Sequence, residues 1–223
     1  MSDAVVIPGA RDVRGSLDVP DESEAVAGES EDADARACVV ACPPHPQLGG
    51  SRSDRRLTAV ADALTERGIA CLRFDYGPWD EGPGEVRDAR NALEWARGRY
   101  DAVGLFGYSF GGCLALVAAA GESTPAPDES PVAAADADLV AVSALAPAAR
   151  IDEDIDAVAA VERIACPGQI VYGERDDTVD WRPVVERAVE RGFAVTGLAA
   201  DHHFVGQSAK VGALVADFLG DEV

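Results

Sequence analysis

The chain has 223 residues and a mass of 23.2 kDa, which sets a single α/β-sized domain over residues 1–223 as the expectation. Hydrophobic residues make up 48%, enough for a chain of this length to bury roughly 70% of its unfolded surface. Forty acidic residues against 19 basic ones give a net charge of −21, which argues against nucleic acid and anionic membrane as partners, since both need clustered Lys and Arg.

Alternating apolar and polar residues over 4–10 and 13–19 predict two short strands, paired antiparallel. Residues 21–36 are small and acidic with no periodicity, and read as a solvated loop. From residue 37 the pattern changes. Residues 37–42 form a continuous apolar run, followed by Pro43-Pro44-His45-Pro46 and then Gly49-Gly50. Leu57, Val60, Ala61 and Leu64 predict a helix over 52–67 that stops at Gly68. A strand follows over 69–76, a helix over 84–99, a strand over 101–108 and a small-residue helix over 110–120. A Pro-, Asp- and Ser-rich surface loop is expected at 121–138. Further strands are predicted at 139–145, 169–172 and 193–198, with helices at 181–191 and 207–219. Residues 147–166 have room for one short helix and for overhanging a site, and not for a cap domain. Fully apolar strands alternating with helices predict a mostly parallel sheet covered on both faces.

Among the 19 basic residues only Lys210 is a lysine. Acid excess with almost no lysine is the pattern of a chain adapted to molar salt, where screening contracts to about 3 Å and self-repulsion becomes tolerable. A GC-rich genome also replaces Lys by Arg, but it does not supply 21 surplus negative charges. No apolar run approaches the roughly 20 residues of a membrane span. The first residues lack the basic and apolar regions of a secretory leader, so a cytoplasmic location is expected. Five cysteines (38, 42, 71, 113 and 166) form neither a CxxC pair nor a zinc-like spacing with the three histidines, and read as buried reduced thiols.

The strongest local signal is Gly107-Tyr108-Ser109-Phe110-Gly111-Gly112, where a predicted strand meets a predicted helix. A G-x-S-x-G turn in that context lifts a serine hydroxyl clear of the sheet, with a helix N-terminus behind it to favour developing negative charge. Serine is a weak nucleophile without a base, and His45, His202 and His203 are the candidates. His45 lies in the turn after an early strand, whereas His202 and His203 follow the last strand. Asp176 or Asp177, in the loop after the 169–172 strand, has the chemistry to accept the imidazole Nδ1–H. The order Ser109, then Asp176 or Asp177, then histidine is that of α/β-hydrolases and differs from the chymotrypsin and subtilisin orders.

From about residue 37 onward the sequence resembles the small, lidless α/β-hydrolases described as dienelactone-hydrolase-like. The turn before the family's oxyanion loop is matched by His45-Pro46-Gln47-Leu48-Gly49-Gly50. A characteristic strand is matched by Leu72-Arg73-Phe74-Asp75-Tyr76-Gly77, and then by Gly82-Pro83-Gly84-Glu85 entering a helix. The resemblance selects Asp176 through a G-x-x-D-x-x-V motif at Gly173 to Val179, and His202 through Ala199 to Phe204. Two departures stand out. Gly77-Pro78 replaces the family's Arg-Gly, which reshapes the loop bearing Trp79. The nucleophile is serine where true dienelactone hydrolases use cysteine, so the family name does not specify a substrate.

The resemblance implies acyl transfer on a small ester or thioester. Ser109 attacks, His202 moves the proton, Asp176 orients the ring, and the N–H groups of Phe110 and Gln47 (or Leu48) hold the oxyanion. No metal and no organic cofactor is implied, and the expected partner is a small-molecule acyl substrate, with the chain a monomer or a homodimer. Trp79, Phe110, Trp181 and Phe204 are candidates for an acyl pocket, with core or surface placement the more frequent explanation for such aromatics. Two rival functions remain: a peptidase or amidase, which needs a leaving-amine site and usually a larger cap, and a non-catalytic binding module on the same fold.

Overall fold

The computed structural model describes residues 2–21, 36–121 and 139–222, so the expected loops at 21–36 and 121–138 lie almost wholly outside the described residues. The third strand shows why the sheet forms. Ala37–Cys42 (β3) contains no polar side chain and is buried at all positions. Strand alternation sends Cys38, Val40 and Cys42 into one core cluster, and Val39 and Ala41 into another on the opposite face. Neither face can meet water, so helices must cover both.

Among the described residues the sheet has eight strands. The first two, β1 (Ser2–Val6) and β2 (Arg14–Asp18), pair antiparallel. They are followed in the chain by β3, β4 (Ala70–Asp75), β5 (Ala102–Tyr108), β6 (Leu139–Leu145), β7 (Gly168–Gly173) and β8 (Ala194–Leu198). The spatial order is β1-β2-β4-β3-β5-β6-β7-β8. Strand β2 runs antiparallel to β4, and all later pairings are parallel. Helices α1 (Arg55–Thr65) and α6 (Ser208–Gly220) cover one face. Helices α2 (Pro83–Arg97), α3 (Phe110–Ala119), α4 (Ala157–Val161) and α5 (Arg182–Glu190) cover the other. Strand order reverses between β3 and β5. The crevice beyond the carboxyl ends of those two strands is where open α/β sheets bind ligands.

The first strand departs from its predicted span of 4–10 and ends at Val6. Pro8 has no N–H to donate and Gly9 has φ 145°, so the chain leaves the sheet and returns through Asp12 at φ 53°. The Ile7 N–H to Val13 carbonyl bond of 3.0 Å closes this turn. Its tip carries Arg11 into the molecule. The Arg11 Nε meets Asp88 Oδ1 at 2.9 Å, and Nη2 meets Glu85 Oε1 at 3.3 Å and the Pro78 carbonyl. Glu85 and Asp88 are fully buried on α2, and they accept the N–H groups of Asp80, Gly82 and Gly77 at 2.9, 2.8 and 2.9 Å. The loop bearing Trp79 is therefore pinned from both sides by two carboxylates that share one guanidinium.

Segment 147–166 contains the one short helix expected of it, α4, capped by the Asp156 side chain. It packs Ile155 against the start of α2, where a Cβ on Gly82 would come within 2.4 Å of Ile155 Cδ1. No helix among the described residues is long and apolar enough to cross a membrane.

Candidate active site

Ser109 occupies the turn between β5 and α3 with φ 58° and ψ −117°, a conformation that costs a non-glycine residue about 1–3 kcal/mol and persists only where its surroundings hold it. Two contacts do so. The Ser109 N–H donates to the Leu145 carbonyl of β6 at 2.8 Å, and the Ser109 carbonyl starts α3 by accepting from Cys113 at 3.1 Å. The flanking glycines permit the approach. A Cβ on Gly107 would lie 2.1 Å from the Gly111 carbonyl oxygen, and one on Gly111 would lie 2.3 Å from that of Pro43. The G-x-S-x-G spacing is thus a steric requirement of a strand, a helix and the post-β3 segment meeting at one point.

The loop after β8 brings His202 back over this turn. The Ser109 Oγ lies 2.9 Å from His202 Nε2, and His202 Nδ1 lies 2.7 Å from Asp176 Oδ2. A carboxylate accepts only, so Nδ1 carries the imidazole proton and Nε2 is left as the acceptor of the serine hydroxyl. The other Asp176 oxygen accepts the N–H groups of Thr178 and Val179 at 2.9 and 3.3 Å, which fixes the carboxylate in the turn after β7. Ser109, Asp176 and His202 are 9%, 5% and 5% exposed, so these bonds form in a site largely cleared of water. The alternatives left open by the residues alone separate clearly. Asp177 and His203 are exposed, and His45 pairs with a different partner.

His45 sits in a 3₁₀ turn, Pro46–Leu48, directly beyond β3. Its Nδ1 accepts the Gln47 N–H at 3.2 Å. The Leu48 N–H donates to the His45 carbonyl at 3.0 Å. Gln47, expected as the second oxyanion donor, and Leu48, its alternative, have therefore both committed their N–H groups to closing their own turn. The His45 and Phe110 N–H groups have no hydrogen-bond partner among the described residues. The His45 ring packs 4.8 Å from the Phe110 ring and 4.7 Å from Trp79. Desolvation holds the His45 imidazole below its ordinary pKa, against the opposing pull of the Glu85 carboxylate.

The four aromatic candidates divide evenly. Trp79 and Phe110, with rings 5.8 Å apart, stand beside the nucleophile turn. Trp181 stacks on Tyr172 at 4.3 Å and donates its Nε1–H to the Asp176 carbonyl at 3.3 Å, so it supports the acid loop. Phe204 is wholly buried in the core on the α1 and α6 face. All five cysteines are free. Burial pushes the Cys38 and Cys113 thiols up to about 12 and Cys166 up to about 11, which leaves them un-ionised and unreactive near neutral pH. Among the described residues no three His, Cys, Asp or Glu side chains are grouped to hold a metal ion.

This arrangement of sheet, nucleophile turn and acid and base loops is the α/β-hydrolase fold, with no inserted cap domain among the described residues. Solved structures share it along nearly the whole chain. An α/β serine hydrolase homologue from Coxiella burnetii is 23% identical with a TM-score of 0.73, covering 97% of both chains. XC6422 from Xanthomonas campestris, described as an α/β serine hydrolase without a lid, is 22% identical with a TM-score of 0.74, covering 97% of this chain and 92% of its own. Est1E from Butyrivibrio proteoclasticus is 17% identical with a TM-score of 0.75 and 98% coverage of both chains. No family model matches the sequence, and no curated protein does.

Proposed function

We propose that the chain is a serine hydrolase that cleaves small esters or thioesters through an acyl-enzyme intermediate. The observation that carries this reading is the continuous chain of bonds from Ser109 Oγ through His202 to Asp176, 2.9 and 2.7 Å long, at a strained turn. In the first half-reaction Ser109 Oγ bonds to the substrate's carbonyl carbon while His202 Nε2 takes the hydroxyl proton. The resulting oxyanion is met by the Phe110 N–H, the first of α3, and by the His45 N–H, which we assign in place of Gln47. The tetrahedral species collapses, the bond to the alcohol or thiol breaks, and His202 returns the proton to the leaving atom. Water then repeats the sequence on the acyl-serine, releasing the carboxylic acid and restoring Ser109. Asp176 keeps the imidazole in one tautomer throughout and stabilises the transient imidazolium. These side chains and water suffice for every step.

A small substrate is favoured by the short 147–166 segment, which has a single five-residue helix packed on α3 and α5. Two further fold neighbours, from Pyrococcus furiosus and Thermogutta terrifontis, are described as esterases. The test is labelling by a fluorophosphonate serine-hydrolase probe in molar KCl with Ser109→Ala as control. Labelling that vanishes in the variant is the expected result. A folded wild type that stays unlabelled moves the binding-module reading to the front.

A further inference from the structure

The loop that delivers His202 has no regular secondary structure, and Phe204 within it sits at φ 49°. Two successive carbonyls of this loop are nevertheless held by side chains from distant parts of the chain. The Tyr108 hydroxyl donates to the His202 carbonyl at 3.0 Å across 94 residues. Arg56 Nη1 donates to the His203 carbonyl at 3.3 Å across 147 residues. The two donors also hold each other, because the Arg56 guanidinium lies 4.4 Å from the centre of the Tyr108 ring. Arg56 is steadied in turn by Asp54, the N-cap of α1, through Nη2 to Oδ2 at 2.6 Å and the Arg56 N–H to Oδ1 at 2.8 Å.

Tyr108 is the residue immediately before Ser109, so its phenol moves with the nucleophile. Burial pushes the Tyr108 hydroxyl up to about 12, with the neighbouring Arg56 opposing, so it remains a donor across the neutral range. Its ring centre is 5.5 Å from that of His202. We propose that Tyr108 and Arg56 are positioning residues that lock the His202 loop in register with Ser109, so that the variable residue of the G-x-S-x-G turn sets the distance between nucleophile and base. The inference rests on the triad reading above. Serine and histidine arrive on different strands, after β5 and after the edge strand β8, and a displacement of about 1 Å between reacting groups costs up to about 100-fold in rate. A direct tie between the nucleophile turn and the histidine's own peptide group removes that freedom.

The test uses the full chain in molar KCl and compares wild type with Tyr108→Phe, Arg56→Met and Arg56→Lys. Hydrolysis of p-nitrophenyl acetate, the rate of fluorophosphonate labelling and the thermal unfolding midpoint are measured for each. For Tyr108→Phe and Arg56→Met, kcat and the labelling rate are expected to fall about 10- to 100-fold with KM within about twofold, in chains that remain folded at the assay temperature. Arg56→Lys is expected to recover most of the loss, since an ammonium reaches both Asp54 and the His203 carbonyl. Variants that are folded and turn over within about twofold of wild type overturn the proposal. So does a loss that only tracks the folded fraction, or one that falls on KM. A wild type that neither labels nor hydrolyses the ester fails at the earlier step and overturns the triad reading itself.

Discussion

At residue 109 a β-strand turns into a helix within one peptide unit, and the backbone strain there is stored by neighbours that have no side chains to spare. Gly107→Ala places a methyl group 2.1 Å from a backbone oxygen. The variant is expected to lose about 1–3 kcal/mol of stability by denaturant titration, with loss of labelling at Ser109 as the strand and helix separate. Chemical coupling is visible at the same scale. In the proposed mechanism Ser109 and His202 exchange one proton, so removing either would disable the same step. Single Ser109→Ala and His202→Ala variants are expected to lose about 10⁴-fold or more in kcat, and the double variant no more than the worse single one. Multiplicative losses would mean that the two side chains act independently and would contradict the proposed mechanism.

Among the elements, the N-terminal hairpin does more than extend the sheet. It supplies Arg11, whose guanidinium, 13% exposed, faces the fully buried Glu85 and Asp88 on α2. Burial raises the Asp88 pKa, opposed by the Gly77 N–H and Arg11. Replacing Arg11 by Met leaves two buried acids without a cation, and a loss of about 3–5 kcal/mol is expected in chemical denaturation. The Trp79 loop, which both acids anchor, should loosen first, detectable as a change in tryptophan fluorescence. Helix α4 gives a pH test of opposite sign. Burial raises the Asp156 carboxyl, but the Ala159 N–H and Arg150 more than offset it and leave its pKa below the ordinary value. A carboxylate whose pKa is lower folded than unfolded stabilises the fold above the unfolded value of 3.8, and that contribution is lost as pH falls through the folded value. Asp156→Asn keeps the helix cap and should flatten the acid limb of the stability curve.

Over the whole molecule the net charge is −21. Among the described acidic residues only Glu85, Asp88 and Asp176 are buried, and each has defined partners. The remaining described carboxylates face solvent at least in part and repel one another. We propose adaptation to molar salt on this ground. Thermal unfolding followed by circular dichroism should show a midpoint that climbs steeply from about 0.1 M to about 2 M KCl, as the Debye length contracts from about 10 Å towards 3 Å. A midpoint independent of KCl would rule this out.

The sequence by itself determined the architecture from β3 onward, because unbroken apolar strands and helical stripes such as Leu57, Val60 and Leu64 leave only a two-sided parallel sheet as a way to bury them. It also marked Ser109 through its strand-to-helix turn, whereas Asp176 and His202 are selected over Asp177, His45 and His203 only by the resemblance to small α/β-hydrolases. Only the tertiary structure decided which N–H groups of the His45 turn are free, because His45 Nδ1 captures the Gln47 N–H through a bond that no spacing rule predicts. Nor does any pattern of residues announce that Arg11 serves two acids on α2, or that Tyr108 and Arg56 hold carbonyls 94 and 147 residues away. The physical reason is range. Periodicity and turn chemistry act over a few residues and are written in order along the chain, whereas a guanidinium or phenol finds its acceptor only after the sheet has brought distant loops to one edge.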